Sequence, residues 1–581
     1  MDTQTKKKKK RDSWRPLFRT IVRLRLPWGW LIAGLSINLI LNHLLLKLPD
    51  TTADLLGGEL SGKALMAAIM YYVAMGLLSC VAVAGQAQAQ AYSVRKGRES
   101  IWKKMLSMKM EYFDRNDPTD MMSAITNDAS QALNDFANVL IYLIPDIYYV
   151  VMAMKRISEY HWLLAVSCFV MFPCKYLYAW LMGRQVQINS AILYGKIGEL
   201  TGFLADRISH LPLIKTYTNE KQEGENGKRV AHKLYKANMK LVYLDNISQG
   251  IVSVIDILQK FIVIVVAVIL LQKGVIDVSM WLAFFLFSQN LFPNVDELFE
   301  LWIKIKGMHG EFHRVIDIME GQEEQDRDVA AFPESGDISF RNITFTYPEA
   351  EAPALKNISF TVPRGGSLAI VGMCGSGKTT SVSLLERFYE QEEGQIFIGD
   401  TNIRDISLGE FRQNIAYVQQ GAEVFSGTLR DVITYGIDRD ITDDEIRAAA
   451  EKTGFDEYLK LCKEGLDTEV KSGGTSMSGG QRQRLVLTRE VLRDCNIILM
   501  DEPTSALDVQ VSAKIQETMD RLFADKTRIL ITHDLSFARR YNHIIVMESG
   551  NMVGEGTHET LLSTCDVYRK MNAQTGEEAA V

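Results

Sequence analysis

One glycine-rich stretch in this chain has the residue types that phosphate chemistry needs. Gly372-Met-Cys374-Gly375-Ser376-Gly377-Lys378-Thr379-Thr380 is entered from the apolar run Ser367–Val371 and left by an amphipathic segment. Glycines let backbone N–H groups close around phosphate oxygens at a helix N-terminus, Lys378 can reach the β- and γ-phosphates, and the Thr379 hydroxyl can ligate Mg²⁺. Strand, loop and helix in that order predict a P-loop for a nucleoside triphosphate. A second apolar run, Asn496–Met500, ends in Asp501-Glu502. A carboxylate at such a strand end can hold hydrated Mg²⁺, and its neighbour can polarise a water for in-line attack on the γ-phosphate. A third run, Arg528–Thr532, delivers His533, which could contact the γ-phosphate but taken alone reads as ordinary structure. Met477-Ser478-Gly479-Gly480-Gln481, before a helix-like segment, makes a second cradle of free N–H groups and a hydroxyl. One P-loop already serves the chain, so a spare cradle implies a phosphate supplied from elsewhere.

These residues require a sheet whose strands feed loops along one edge. The sequence supplies β-type alternation from Ile338 to Tyr347, after an acidic, breaker-containing stretch from Glu320 to Gly336 that reads as a domain boundary. Everything before that boundary has another character. The chain of 581 residues is 47% apolar and 23% charged with net charge −7, which excludes a disordered polymer and a small disulfide scaffold. The average hides +9 up to residue 320 and −16 beyond it. Long apolar stretches crowd the first part, with six candidate spans near 27–46, 64–94, 136–156, 161–183, 247–272 and 278–303. The expected fold is therefore an N-terminal all-α six-helix transmembrane domain followed by a C-terminal α/β P-loop NTPase domain. Expected boundaries are a basic segment and elbow helix over 1–26, the membrane domain over 27–320, a linker over 321–337, the ATP-binding domain over 338–573 and a tail over 574–581.

The basic start, Lys6–Lys10 with Arg11, precedes a stretch from Trp14 to Leu26 that alternates Arg with apolar residues and suits an interfacial helix. The first apolar run ends without a small-residue cleavage site and reads as a retained span. Cations follow span two and fill 184–240, whereas Pro49–Gly62 has none, so both termini are expected in the cytosol, of a bacterial-type plasma membrane. Lys155, Arg156 and Lys273 run against that trend. Polar helix-like sequence over 95–135 and 184–245 should extend the spans beyond the bilayer. Several ionisable groups lie within spans: Asp146, Lys175, Asp256, Lys260, Asp296, Glu297 and Glu300. Asp146 and Lys175 sit at similar depth and are expected to pair, as are Asp256 and Lys260 one turn apart; structural pairing and substrate contact stand open as alternatives. The seven cysteines form no CxxC pair, and reduced thiols are expected.

The order Tyr347, P-loop, Gln420, Ser478-Gly-Gly-Gln481, Asp501-Glu502, Ser505-Ala-Leu-Asp508 and His533 resembles the nucleotide-binding domain of the ABC transporter family. Six spans followed by one such domain resemble the exporter-fold (type IV) half-transporters, and the membrane half agrees at Phe113-Asp114, Thr126-Asn127-Asp128 and Leu213-Ile-Lys-Thr216. The resemblance implies that Tyr347 stacks on adenine, that Gln420 senses Mg²⁺ and the attacking water, and that Glu502 is the general base with His533 as γ-phosphate switch. It implies that Ser478 and Gly480 close on ATP held by a second subunit and that Asp508 links the two sites. Two short coupling helices would fall near 114–120 and 210–216. ATP and Mg²⁺ are the implied cofactors. The implied partners are a second half-transporter, identical or not, membrane lipid and a transported small molecule or peptide, with no nucleic acid. Export of a hydrophobic or amphipathic small molecule, lipid or peptide is the leading expectation. Import on the same fold, for example of a siderophore, and an ATP-gated channel or regulator are the alternatives. Met477, Ser472, Val432 and Thr119 depart from the family's usual Leu, Glu, Asn and Gly. Only about 26 residues precede the spans, so a leader-cleaving peptidase module is not expected.

Overall fold

The computed structural model describes residues 14–57, 62–116, 118–348, 350–504 and 507–578. Lys6–Lys10, Arg11, Ser505 and Ala506 lie outside these, as do the side chains of Thr119 and Ser472. The chain divides into two compact units, Met1–Leu106 with Pro118–Gly321, and Ser107–Asp117 with Gln322–Val581.

In the first unit, α1 (Trp14–Arg23) is the short amphipathic helix expected there, burying Leu17, Thr20 and Ile21. Long helices follow: α2 (Trp28–Leu45), α3 (Leu48–Gly57) and α4 (Gly62–Leu106). After the connector come α5 (Met110–Arg115, part of the second unit), α6 (Pro118–Ser123), α7 (Ala129–Tyr160), α8 (Trp162–Phe169) and α9 (Phe172–Ser209). The set ends with α10 (Leu211–Thr216), α11 (Glu220–Gln272) and α12 (Val278–Glu320). Forty-five residues in α4 and 53 in α11 exceed the roughly 20 that cross hydrocarbon, so these helices do run on past it. Among the described residues, five helical stretches are long and apolar enough to cross a membrane. The sixth expected span lies in α12, which is not among them, because Ser288, Gln289, Asn290 and Asn294 dilute its apolar run before Asp296.

Three local features depart from the sequence expectation. A helix expected at 114–120 is instead split into α5 and α6, the chain turning extended at Asn116. Thr126-Asn127-Asp128 lies in a π-helical turn, Ala124–Asp128, whose carbonyls at Ile125 and Thr126 accept from the Arg98 guanidinium at 3.3 and 2.8 Å. The fourth span is broken between α8 and α9. Gln259, 2% exposed, closes the break: its Nε2 donates to the Ser167 and Cys168 carbonyls at 2.8 and 2.9 Å, and its Oε1 accepts from the Met171 N–H at 3.1 Å.

The expected membrane pairs are also revised. Lys175 does not meet Asp146; its ammonium lies 2.6 Å from Asp256 Oδ1 and 2.8 Å from Asp296 Oδ1. Asp146 instead accepts from Asn42 Nδ2 at 3.3 Å. Similar depth was the only guide in the sequence, and it does not say which way each helix is turned.

The second unit is built on three sheets. Strands β1 (Ile338–Phe345), β2 (Leu355–Val362), β4 (Glu393–Ile398) and β5 (Thr401–Asn402) form an antiparallel sheet in the order β2-β1-β4-β5. Strands β3 (Ser367–Gly372), β6 (Ile415–Val418), β9 (Ile497–Asp501), β10 (Thr527–Thr532), β11 (His543–Glu548) and β12 (Asn551–Gly556) form the larger sheet. Its order is β12-β11-β3-β10-β9-β6, parallel from β11 to β6 with β12 antiparallel at the edge. A small pair, β7 (Gly427–Thr428) and β8 (Glu469–Val470), stands apart. Every residue of β3 and β9 is buried, which is why both read as continuous apolar runs. Two of the unusual residues have packing roles: Met477 and Val432, 5% and 4% exposed, fill the core on one side of this sheet. The cysteines are unpaired.

Candidate functional site

Four neighbouring parallel strands deliver the candidate residues at their C-terminal ends, where open α/β sheets bind ligands. Strand β3 ends at Gly372, β6 leads to Gln420, β9 ends at Asp501 and leads to Glu502, and β10 leads to His533. The loop after β3 opens α13 (Lys378–Leu385), with Gly377 at its N-cap in the left-handed region, φ +100°. A Cβ there would come within 2.7 Å of the Ala354 carbonyl; one on Gly372 would stand 2.3 Å from the Met547 carbonyl. Gly375, φ +78°, faces open space.

The loop is shaped for anionic oxygens. Lys378 is 7% exposed and its ammonium donates to the Gly372 and Met373 carbonyls at 2.9 and 3.1 Å, poised above the loop. Ser376 is 3% exposed, and among the described residues its Oγ has no hydrogen-bond partner. A buried hydroxyl without a partner costs free energy unless something accepts from it, which a phosphate oxygen would. Thr380 lies further along α13, and its hydroxyl is 3.2 Å from the Tyr347 hydroxyl. Cys374 is exposed.

Across the loop, burial pushes the Asp501 carboxyl above its ordinary range, while hydrogen bonds from Thr379 and Tyr417 act the other way. The Tyr417 hydroxyl donates to Asp501 Oδ2 at 3.3 Å. A buried carboxylate that accepts from a threonine and a tyrosine hydroxyl is a donor set suited to a hard divalent cation such as Mg²⁺. Glu502 follows with φ +42°, a left-handed conformation that non-glycine residues seldom adopt and that recurs at functional sites. Its Oε2 accepts from Gln420 Nε2 at 3.2 Å and its Oε1 lies 3.0 Å from His533 Nδ1. The structure thus brings Gln420, Glu502 and His533 together beside the P-loop.

The second cradle is elsewhere. Ser478 is the N-cap of α14 (Gly479–Arg493), accepting from the Gln481 N–H at 3.3 Å, while Gln481 Oε1 accepts from the Ser478 N–H at 2.8 Å. Gln481 therefore spends its side chain on the cap. Gly480 has no room for a side chain, a Cβ meeting Val511 at 2.9 Å. Asp508 is the N-cap of α15 (Val509–Leu522) and accepts from the Val511 N–H at 2.9 Å. Ser478 and Asp508 are both exposed and make their cap bonds within their own helices, Ser478 at the head of a 15-residue helix.

Two neighbours carried no sequence signal. Tyr389 packs edge-on against Tyr347, ring centroids 5.1 Å apart, and its hydroxyl donates to Asp114 Oδ2 at 2.6 Å. Asp114 belongs to the connector Ser107–Asp117, which is held in this unit by Lys109–Glu390 at 3.3 Å and by backbone bonds to Gln322 and Glu324. The other is Tyr417. Both are ordinary tyrosines in sequence, and only the fold brings them to the site.

Comparison with known proteins bears on the whole chain. The ABC transporter family model matches residues 355–505, and the model of the ABC transporter transmembrane region matches 31–294. The chain belongs to the ABC transporter family. It is an exporter-type half-transporter that binds ATP, couples its hydrolysis to transport, and crosses the membrane several times. Among similar proteins, the ATP-dependent lipid A-core flippase of Mannheimia succiniciproducens is 28% identical over 512 residues, 87% of this chain and 86% of its own. The multidrug resistance ABC transporter ATP-binding and permease protein of Lactococcus lactis subsp. lactis is 27% identical over 560 residues, 95% of this chain and 94% of its own. The lipid A-core flippase of Haemophilus influenzae is 29% identical over 482 residues, 82% of this chain and 81% of its own.

Proposed function

We propose that this half-transporter pairs with a second one and exports a hydrophobic or amphipathic small molecule, lipid or peptide by alternating access, driven by ATP. The observation that carries the reading is Glu502 held between Gln420 at 3.2 Å and His533 at 3.0 Å at the strand edge beside the P-loop. Glu502 is the general base that takes a proton from the attacking water, and Gln420 and His533 orient that water and read the γ-phosphate. Thr379, Gln420 and Asp501 would hold Mg²⁺, which would supply positive charge against the phosphates. Tyr347 stacks on adenine, and the backbone of Gly372–Thr380 with Lys378 holds the phosphates.

Ser478 and Gly480, at the exposed N-terminus of α14, close on ATP held by the other half, and Asp508 joins the two sites. The boundaries 1–26, 27–320, 321–337, 338–573 and 574–581 divide the chain in this reading, with both termini on the cytoplasmic side of the plasma membrane. Export rather than import follows the similar proteins, which are named a lipid A-core flippase and a multidrug resistance transporter.

Glu502→Gln in the transporter reconstituted in lipid nanodiscs tests the base. ATP affinity should stay within about twofold while turnover falls by a hundredfold or more, the scale general-base loss produces. Undiminished hydrolysis by a homodimer of that variant would remove Glu502 from the role. Accumulation in right-side-out rather than inverted vesicles would reverse the direction.

A further inference from the structure

Strand pairing carries a tyrosine to the carboxylate of Asp501. In the parallel ladder of β6 and β9, Tyr417 stands opposite Leu499 and Val418 opposite Met500. Side chains two apart on a strand share a face, so Tyr417, Leu499 and Asp501 lie on the same side of the sheet. That side is the core holding Ile415, Ile497 and Leu499, and the Tyr417 ring packs against it. Phe388, just beyond α13, adds a ring contact with centroids 6.4 Å apart. Packing of this kind limits how far the ring can swing, and its hydroxyl donates to Asp501 Oδ2 at 3.3 Å.

A second carboxyl stands near that hydroxyl and goes without it. Glu386 is 5% exposed, acts electrostatically on Tyr417, and has an Oε1 with no partner among the described residues. The tyrosine bonds Asp501 instead. Asp501, itself 5% exposed, thus accepts from hydroxyls on two different elements, Thr379 in the first turn of α13 and Tyr417 in β6. A hydrogen bond to one carboxylate oxygen resists rotation of the group and so aims the other. Losing such an outer partner typically costs about 10–100-fold in metal affinity.

We propose that Tyr417 is a positioning residue for the divalent cation. Its hydroxyl fixes the plane of the Asp501 carboxylate, so that the hold on Mg²⁺, and not the hold on the nucleotide, depends on it. Gln420 follows three residues later, so the same bond ties the strand that leads to one metal ligand to the strand that ends in another. The inference rests on Asp501 as the Mg²⁺ carboxylate.

Mn²⁺, whose free ion is counted by electron paramagnetic resonance, is the probe. It would be titrated into the full-length transporter in nanodiscs with saturating β,γ-imido-ATP, whose own affinity for the metal is common to every variant. Tyr417→Phe should weaken Mn²⁺ binding about tenfold and leave nucleotide affinity in EDTA within about twofold of wild type. The Mg²⁺ concentration for half-maximal hydrolysis should rise by a similar factor, with excess Mg²⁺ restoring most of the turnover. Tyr417→Leu is a second variant without the hydroxyl and should shift the metal in the same direction. Unchanged Mn²⁺ binding in a variant that still binds nucleotide in EDTA would overturn the proposal. Loss of that nucleotide binding in both variants would also overturn it, by making the hydroxyl a support of the fold. Asp501→Asn separates the two readings. If it releases Mn²⁺ and Tyr417→Phe does not, only the positioning role fails; if it too leaves Mn²⁺ binding unchanged, Asp501 is not the metal carboxylate.

Discussion

In the nucleotide unit the functional groups sit where strands end, whereas in the membrane unit the ionisable groups sit in the middle of helices. Gly372, Asp501 and His533 are fixed by neighbouring strands whose register sets their spacing to within a residue. Lys175, Asp256 and Asp296 come from three helices, and each depends on how its helix is rotated. The first arrangement tolerates almost no added atom. The second depends on polar bonds made between distant segments. The difference predicts that the nucleotide unit breaks by steric insult and the membrane unit by loss of a hydrogen-bonding partner.

The largest effect should come from Gly377→Ala. A Cβ at Gly377 would press on the Ala354 carbonyl at 2.7 Å and on Leu355 at 2.8 Å, and φ is +100°. Strain of about 1–2 kcal/mol from the backbone and about 1–3 kcal/mol from overpacking would fall on the residue that starts the phosphate-binding helix. ATP affinity, read by a fluorescent analogue, should drop at least a hundredfold. Gly375→Ala separates the causes: φ is +78° there but no atom lies within 4 Å of the added methyl, so the loss should be several times smaller. Equal losses at both positions would mean that backbone conformation, and not crowding, sets the limit.

A smaller effect tests whether polar burial matters inside the nucleotide unit too. Glu386 closes α13, is 5% exposed, and its Oε1 has no partner among the described residues. Burial pushes its carboxyl up to about 7, partly offset by Arg412 and Arg493, with Glu490 acting in the same sense as burial. Both arginines are engaged elsewhere, Arg412 with Glu324 at 2.8 Å and Arg493 with Glu490 at 3.2 Å. With its folded pKa above the unfolded value, the folded state keeps a proton that the unfolded chain has lost. Stability should therefore fall as pH rises from about 4.5 to about 7 and level off above, by as much as about 3 kcal/mol. Glu386→Gln should remove that slope and unfold at a higher temperature than the wild type at pH 8, the two coinciding near pH 4.5. Parallel pH profiles for the two proteins would show that Glu386 titrates alike in the folded and unfolded states.

How much could be read beforehand follows the same division. The P-loop and Asp501-Glu502 were legible because each is a short run of sequence that a single strand end positions, whereas His533, which taken alone reads as ordinary structure, was singled out only by the family resemblance. The cap formed by Ser478 and Gln481 was half legible: the turn before the helix was clear, but the Gln481 side chain serves the helix itself. The partners of Lys175 were not legible. Depth along a span can be counted in residues, but azimuth cannot when α11 has apolar residues on nearly every side over 247–272. Tyr389 was hidden for a related reason, since its contacts at Tyr347 and Asp114 lie 42 and 275 residues away.

The smallest effect tests the membrane half of the comparison. Gln259 looks unremarkable in sequence, a polar residue in an apolar run, yet its amide closes the break between α8 and α9 with three hydrogen bonds of 2.8 to 3.1 Å. Gln259→Leu keeps the volume and removes all three, leaving the Ser167 and Cys168 carbonyls and the Met171 N–H unpaired. Interhelical hydrogen bonds in membranes average about 0.6 kcal/mol each, so the loss should be about 2 kcal/mol. The expected result is an unfolding midpoint a few degrees lower in nanodiscs, with ATP affinity unchanged because no phosphate-binding residue is disturbed. Gln259→Glu retains an acceptor for Met171 but loses the donors to both carbonyls, so it should recover at most a third of the stability. If Leu is as stable as Gln, the break is held by packing around Cys168 and Val263 instead, and the contrast between a sterically fixed unit and a hydrogen-bonded one no longer stands.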